Sequence, residues 1–241
     1  ANEIVFMDEV EQPEPYLYRT GHPVNQFFGY VFEGFYDESA DNSELPDHLY
    51  ELKPGDMTYR DLNDDDVINQ LDQRAVGYTA YPQYVFGLNL GLNIKDFDIS
   101  LYIAGATHTS RMLDETYRKA FGNTLDRSLM QYMADGAWTP ETADVATFPR
   151  MTLSGSENNS KDSDFWIRDA SYIRLKNVEM GYNFKGKTLR KLGVQTLRIY
   201  ANGYNLITLD KLKVADPESR TGRFPEYPLS KIYNVGLKMN F

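Results

Sequence analysis

The chain has 241 residues, no cysteine and a formal net charge of −10, from 25 Lys and Arg against 35 Asp and Glu. The missing cysteine excludes disulfides, zinc–thiolate sites and thiol nucleophiles. The acidic excess argues against nucleic acid, whose phosphates favour clustered Lys and Arg.

Eighteen Tyr and thirteen Phe against two Trp is not the profile of a helical enzyme. No apolar run approaches the ~18 residues of a membrane helix. A membrane β-barrel stays open, because its strands alternate and never build such a run. The chain opens ANEIVFMDEVE, with no basic-then-apolar leader.

Taken in chain order, "VNQFFGYVFEGFY" (24–36) reads as a first strand. A long polar segment, 37–78, follows and contains "DLNDDDVINQLD", with five Asp and two Asn in twelve positions. Mapped onto a twelve-position calcium loop, Asp61, Asn63 and Asp65 take positions 1, 3 and 5. Val67 offers a carbonyl at 7, Asn69 stands at 9 and Asp72 at 12. Oxygen donors at that spacing suit a hard cation. Two positions depart from the pattern: Asp66 stands where Gly makes the sharp turn, and Asp72 is shorter than the usual Glu. The other reading is an acidic turn that uses Asp and Asn for their turn chemistry.

"YVFGLNLGLNI" (84–94) sets Tyr84, Phe86, Leu88, Leu90, Leu92 and Ile94 against Gly87, Asn89, Gly91 and Asn93. This period of two runs for about the length that crosses a bilayer as a tilted strand. Lys95-Asp96 makes a tight turn into "FDISLYIAG", with Phe97, Ile99, Leu101 and Ile103 on one face, so the two form a hairpin. The segment 107–168 is long and polar, with "SRMLDETYRKAF" and "DRSLMQYM" as short helices.

"YIRLKNVEMGYNF" aligns Val178, Met180, Tyr182 and Phe184, but Ile173 and Leu175 fall out of phase. A bulge near Lys176-Asn177 reconciles the halves. "KGKTLRKLGVQT" is a short connection to "LRIYANGYNL", with Leu197, Ile199 and Ala201 on one face. A long segment, 207–229, leads to "IYNVGLKMNF", with Tyr233, Val235, Leu237, Met239 and Phe241 on one face.

About six long strands therefore alternate with short turns and long loops, the pattern of an outer-membrane barrel. Six cannot close one, since single-chain barrels start at eight and an open edge in lipid is too costly. Either several chains complete the barrel, or these residues are the C-terminal part of a longer polypeptide. The terminal Phe241 suits the latter, with the long loops outside the cell and the short turns in the periplasm.

Candidate chemistry is sparse. His22, His48 and His108 are scattered, no G-x-S-x-G or phosphate-binding Gly loop occurs, and no enzyme is expected. Trp138 and Trp166 read as interfacial or loop-packing residues that could also stack on a sugar. Arg168, Arg174 and Lys176 either face a lumen or pair with Asp169 and Glu179. No substrate residue is named by the sequence.

The segments "DSDFWIRDASYIRLKNVEMGYNF", "LRKLGVQTLRIYANGYNLITL" and "YPLSKIYNVGLKMNF" resemble the C-terminus of the SusC/RagA family, TonB-dependent outer-membrane transporters of Bacteroidetes. Upstream, "GHPVNQFFGYVFEGFY", "PGDMTYRDLNDDDVINQLDQRAVG" and "YPQYVFGLNLGLNIKDFDISLYIAG" follow the same family in order. The resemblance implies an all-β fold, the last portion of a 22-stranded barrel whose plug and earlier strands lie outside these residues. It also implies import of oligosaccharides, sometimes oligopeptides, with a SusD-like surface lipoprotein, and energy from the TonB complex through the plug. The residue reading alone leaves one alternative, a soluble calcium-dependent carbohydrate-binding β-module.

Overall fold

A computed structural model describes residues 3–121, 129–153, 155–219 and 229–241. The chain divides into two compact units.

The first unit is formed by the described residues within 3–81 and 109–169. It is built from short pairings: Phe28–Gly29 with Arg74–Ala75, Phe32–Phe35 with Met57–Tyr59, and Ser110–Met112 with Ile167–Asp169, all antiparallel. Asp47–His48 pairs parallel to Val67–Ile68. What holds it together is aromatic and polar burial. Trp166 is 1% exposed, with Phe148 and Phe165 against its ring and its indole N–H donating to the Asn159 carbonyl at 2.9 Å.

Beside it, Asn158 and Asn159 bracket the Met57 backbone: the Met57 carbonyl accepts from Asn158 and its N–H donates to Asn159. Asp56, 1% exposed, accepts from Arg150 Nε at 2.6 Å, Asn159 Nδ2 at 2.8 Å and the Lys53 N–H. A buried charge is tolerable only when paired and hydrogen-bonded in this way. Gly55, at φ +86°, lets the chain pass where a Cβ would stand 2.6 Å from the Trp138 ring.

The segment 24–36 corrects the sequence reading. It is no long strand but two short ones, Phe28–Gly29 and Phe32–Phe35. The cause lies between them. Tyr30 and Val31 are adjacent and both buried, which breaks alternation. Their neighbourhood bonds instead to 162–164: the Tyr30 N–H to the Asp162 carbonyl, the Asp164 N–H to the Tyr30 carbonyl, and the Phe32 N–H to the Asp164 carboxylate.

The expected helix over "SRMLDETYRKAF" shrinks to one turn, Glu115–Arg118, capped by the Asp114 carboxylate on the Thr116 N–H. Its first residues pair as a strand. Of "DRSLMQYM", Asp126–Ser128 lie outside the described residues, and a helix covers Gln131–Gly136.

The second unit is formed by 82–108, 170–219 and 229–241. It is one antiparallel sheet of five long strands, here β1 (Tyr84–Ile94), β2 (Phe97–Thr107), β3 (Tyr172–Phe184), β4 (Thr196–Asp210) and β5 (Ile232–Asn240). Their order across the sheet is β5-β4-β3-β2-β1. Five long strands thus stand where about six are expected.

The hairpin turn falls on Lys95-Asp96, with Lys95 at φ +56°. The connection after Phe184 carries a short helix, Lys187–Lys191, stopped by Gly193 at φ +79°. The bulge stands where the phase break predicts, with the register shifting between Leu175 and Asn177 against both neighbours.

Candidate functional site

Directly opposed residues of an antiparallel pair share a face. The register therefore lays out whole rows: Leu88–Ile103–Leu175–Ile207, Leu90–Leu101–Val178–Gly203–Tyr233, Leu92–Ile99–Met180–Ala201–Val235 and Ile94–Phe97–Tyr182–Ile199–Leu237. No charged or amide side chain interrupts them. Much of this face is bare: Leu92 is 53% exposed, Leu237 62% and Val235 81%. Soluble monomers rarely expose an apolar area of this extent. Among the described residues both edges, β1 and β5, are bonded on one side only.

The opposite face is polar and small, with rows such as Gly91–Ser100–Glu179–Asn202–Asn234. An ion cluster occupies it. Arg198 Nη2 reaches Asp98 at 2.5 Å and Glu179 at 2.7 Å, Asn183 donates to Asp98, and Asn202 to Glu179. Gly181 makes room for this, since a Cβ there would lie 2.5 Å from Arg198 Nε.

A second cluster holds Arg174, 2% exposed, between Asp216 at 2.9 Å and Glu218 at 2.5 Å. Lys176 and the Tyr172 hydroxyl also reach Glu218. The sequence leaves Arg174 and Lys176 either facing a lumen or paired with Asp169 and Glu179, and the structure gives both of them acids of another segment. Arg174 and Lys176 take partners some forty residues away, and Glu179 belongs to Arg198.

The aspartate-rich loop belongs to the first unit. Asp61 accepts N–H groups of Asn63, Asp64 and Asp66. Burial pushes its carboxyl up, but those backbone donors outweigh it and hold it below the usual carboxylate range. Asp65 accepts from the Val67 N–H and the Asn63 amide. Asp72, fully buried, takes the Leu62 N–H at 2.8 Å and the Asn69 N–H at 2.7 Å, and burial raises its carboxyl.

Asn69 caps the following 3-10 turn reciprocally with Asp72, and its amide reaches the Val67 carbonyl. Asp66 does adopt the left-handed φ, +63°, that a calcium loop needs at its sixth position. Two oxygens there are buried without a hydrogen-bond partner, Asn63 Oδ1 and the Tyr16 hydroxyl. Burial raises the Tyr16 phenol, and the charges of Glu14, Asp72, Asp61 and Asp65 raise it further. Among the described residues no three His, Cys, Asp or Glu side chains converge as a ready metal site.

Trp138 and Trp166 are buried, as packing residues are. The three histidines stay apart: His22 edges Phe28, His48 lies against Tyr59 and His108 edges Tyr84.

No family model matches the chain. Curated relatives do. It is 27% identical over 250 aligned positions to TonB-dependent receptor P3 of Formosa agariphila, covering 95% of this chain and 23% of that protein. It is 26% identical over 227 positions to TonB-dependent receptor SusC of Bacteroides thetaiotaomicron, covering 93% and 20%. The chain thus spans about a fifth of the length of these relatives. Among solved structures, a chain of the RagAB peptide importer in its open-open state superposes with a TM-score of 0.69 at 19% identity, covering 96% of this chain and 24% of that one. The chain is therefore SusC/RagA-like, similar over nearly its whole length to TonB-dependent receptors in sequence and to the RagAB importer in fold.

Proposed function

We propose that these residues form the C-terminal portion of the wall, with its extracellular loops, of a 22-stranded TonB-dependent barrel in the outer membrane. The observation that carries this is the uninterrupted apolar face of a five-stranded sheet with two unpaired edges. Lipid suits such a face, and neighbouring strands of the same barrel suit such edges. The polar face then lines the lumen.

The resemblance to SusC and RagAB supports import as the activity, non-enzymatic, with oligosaccharides or oligopeptides as cargo. Its partners are the remainder of the barrel and its plug, a SusD-like surface lipoprotein, and the TonB complex through the plug. Extraction tests the wall: the protein should partition with detergent and aggregate without it. A folded, monomeric chain in plain buffer would overturn the barrel and favour the calcium-dependent carbohydrate-binding module.

We further propose that calcium stiffens the loop 61–72. The donor types and their order fit, Asp66 already holds the required backbone angle, and Asn63 Oδ1 is buried without a partner. The carboxylates are engaged by N–H groups rather than converged, and Asp72 lacks the reach of a bidentate Glu. Affinity should therefore lie at the weak end, on the order of 10⁻⁴–10⁻³ M. Calorimetry should show saturable calcium binding that Asp61→Asn abolishes. No saturable heat in the millimolar range would leave the loop an acidic turn.

A further inference from the structure

The second ion cluster has an unusual feature for a wall. Arg174 stands on the polar face of β3, directly opposite Ala104 and Thr208, yet it is 2% exposed. An open sheet cannot bury an arginine by itself, so something covers it. The cover is the segment 211–219 that leaves β4. Leu212 on this segment is also 2% exposed.

Asp216 presents both carboxylate oxygens to Arg174 Nη2 at 2.9 Å. Glu218 meets Arg174 Nη1 at 2.5 Å, Lys176 Nζ at 2.5 Å and the Tyr172 hydroxyl at 2.6 Å. Arg174 Nε is satisfied by the Thr208 hydroxyl at 2.9 Å. The segment closes on itself as well, with the Glu218 N–H on Asp216 Oδ1 and the Ser219 hydroxyl on the Asp216 carbonyl. Three side chains of the wall thus hold two acids of one strap.

We propose that residues 211–219 form a strap locked across the polar face by Arg174, Lys176 and Tyr172, which narrows the lumen at its long-loop end and opens when Asp216 and Glu218 let go. The inference rests on the barrel reading above, which makes the polar face the lumen. Its physical basis is independent. Nearly every polar group of the lock is paired, so the closed state is well defined. Removing one side of a buried pair leaves the other uncompensated, which makes release a discrete event rather than gradual loosening.

The test uses the full-length transporter in outer membranes of intact cells, with no other reactive thiol, carrying Leu212→Cys. A membrane-impermeant maleimide should label it slowly in the parent. Labelling should be at least about ten-fold faster with Asp216→Asn and Glu218→Gln together. Glu218→Gln alone, which leaves the Arg174–Asp216 pair, should give a smaller rise and serves if the double variant fails to insert. Equal rates in parent and variants, or fast labelling in the parent, would overturn the strap.

A separate Thr188→Cys in the short β3–β4 connection reports on topology. It should stay unlabelled in intact cells. Its labelling from outside would sink the barrel orientation while leaving the Leu212 comparison readable.

Discussion

Residues 1–81 and 109–169 bury a core of aromatic and apolar side chains, whereas the five strands of the second unit leave theirs exposed on one face. Trp166, Tyr59 and Met57 are almost wholly inside. Tyr233, Val235 and Phe241 are more than 70% exposed. Composition does not separate the two, because both are rich in Tyr and Phe. Order along the chain does. Alternation in β1 to β5 gathers most of the large aliphatic side chains on one face, so the sheet cannot bury them against itself. In the first unit, apolar residues come in irregular pairs such as Tyr30-Val31, and polar groups such as Asp56 and Asn159 turn inward to satisfy the backbone. One unit carries its own interior; the other leaves an apolar face that it does not cover itself.

The largest test of this difference is Trp166→Ala. It removes the ring at the centre of the first unit and should cost about 3–5 kcal/mol there. Limited proteolysis in detergent should show residues 1–81 and 109–169 becoming labile while β1–β5 stay protected. Cleavage spreading equally through both would mean they do not fold by separate means.

Next is a pair of neighbours on opposite faces, Leu90→Arg and Gly91→Arg. At mid-membrane the first should cost about 2–4 kcal/mol in lipid. The second enters open space on the polar face and should cost far less. Equal losses, read by refolding into liposomes, would break the assignment of faces.

A smaller effect is expected from pH. His48 is held neutral: the Tyr59 N–H donates to Nε2 at 3.3 Å, and Nδ1 lies 2.9 Å from the Pro46 carbonyl, so Nδ1 carries the proton. Burial lowers its pKa from the ordinary 6.5, against smaller raising effects of the Pro46 carbonyl, Asp47 and Asp72. A depressed folded pKa means that the unfolded chain binds the proton first. The contribution is complete above about pH 6.5 and is lost as pH falls through the folded value. Thermal unfolding of the first unit should show this fall, and His48→Gln should flatten it. An unchanged slope would clear His48 of the role.

The smallest is Asn69→Ala. Loss of the reciprocal cap should cost about 1 kcal/mol. Faster amide exchange confined to Leu62–Asp72 is the expected readout, and no change there would mean that the cap is redundant.

How far the sequence carries differs between the units for the same reason. Period two is a local signal, so the hairpin at Lys95-Asp96 and the phase break before Asn177 were legible residue by residue. The first unit is held by contacts across a hundred positions, such as Asp56 with Arg150 and Asn159, and no periodicity announces these. Segments 37–78 and 107–168 therefore read as polar loops although they carry a core. The calcium spacing of Asp61 to Asp72 and the turn chemistry of its Asp and Asn were both visible, but not how far N–H groups engage the carboxylates. The partners of Arg174 were hidden too, because an acid two positions from another acid in a loop looks like any solvated turn.

The bulge at Lys176 has a consequence for how this strand tolerates loss of residues. Without Lys176, Leu175 would adjoin Asn177 and the run Ile173-Arg174-Leu175-Asn177-Val178 would alternate without a break. A one-codon deletion there should bring β3 into regular register with β2, but would leave Asn205 and Leu206 of β4 without a residue opposite them and remove the hold of Lys176 on Glu218. The same deletion at Gly181 would exchange the two faces along the first part of β3, turning Arg174 and Glu179 to the apolar face. Toward β2, Lys176 is therefore the position at which this strand can lose a residue and keep each side chain on its face, and β4 is where the cost would fall.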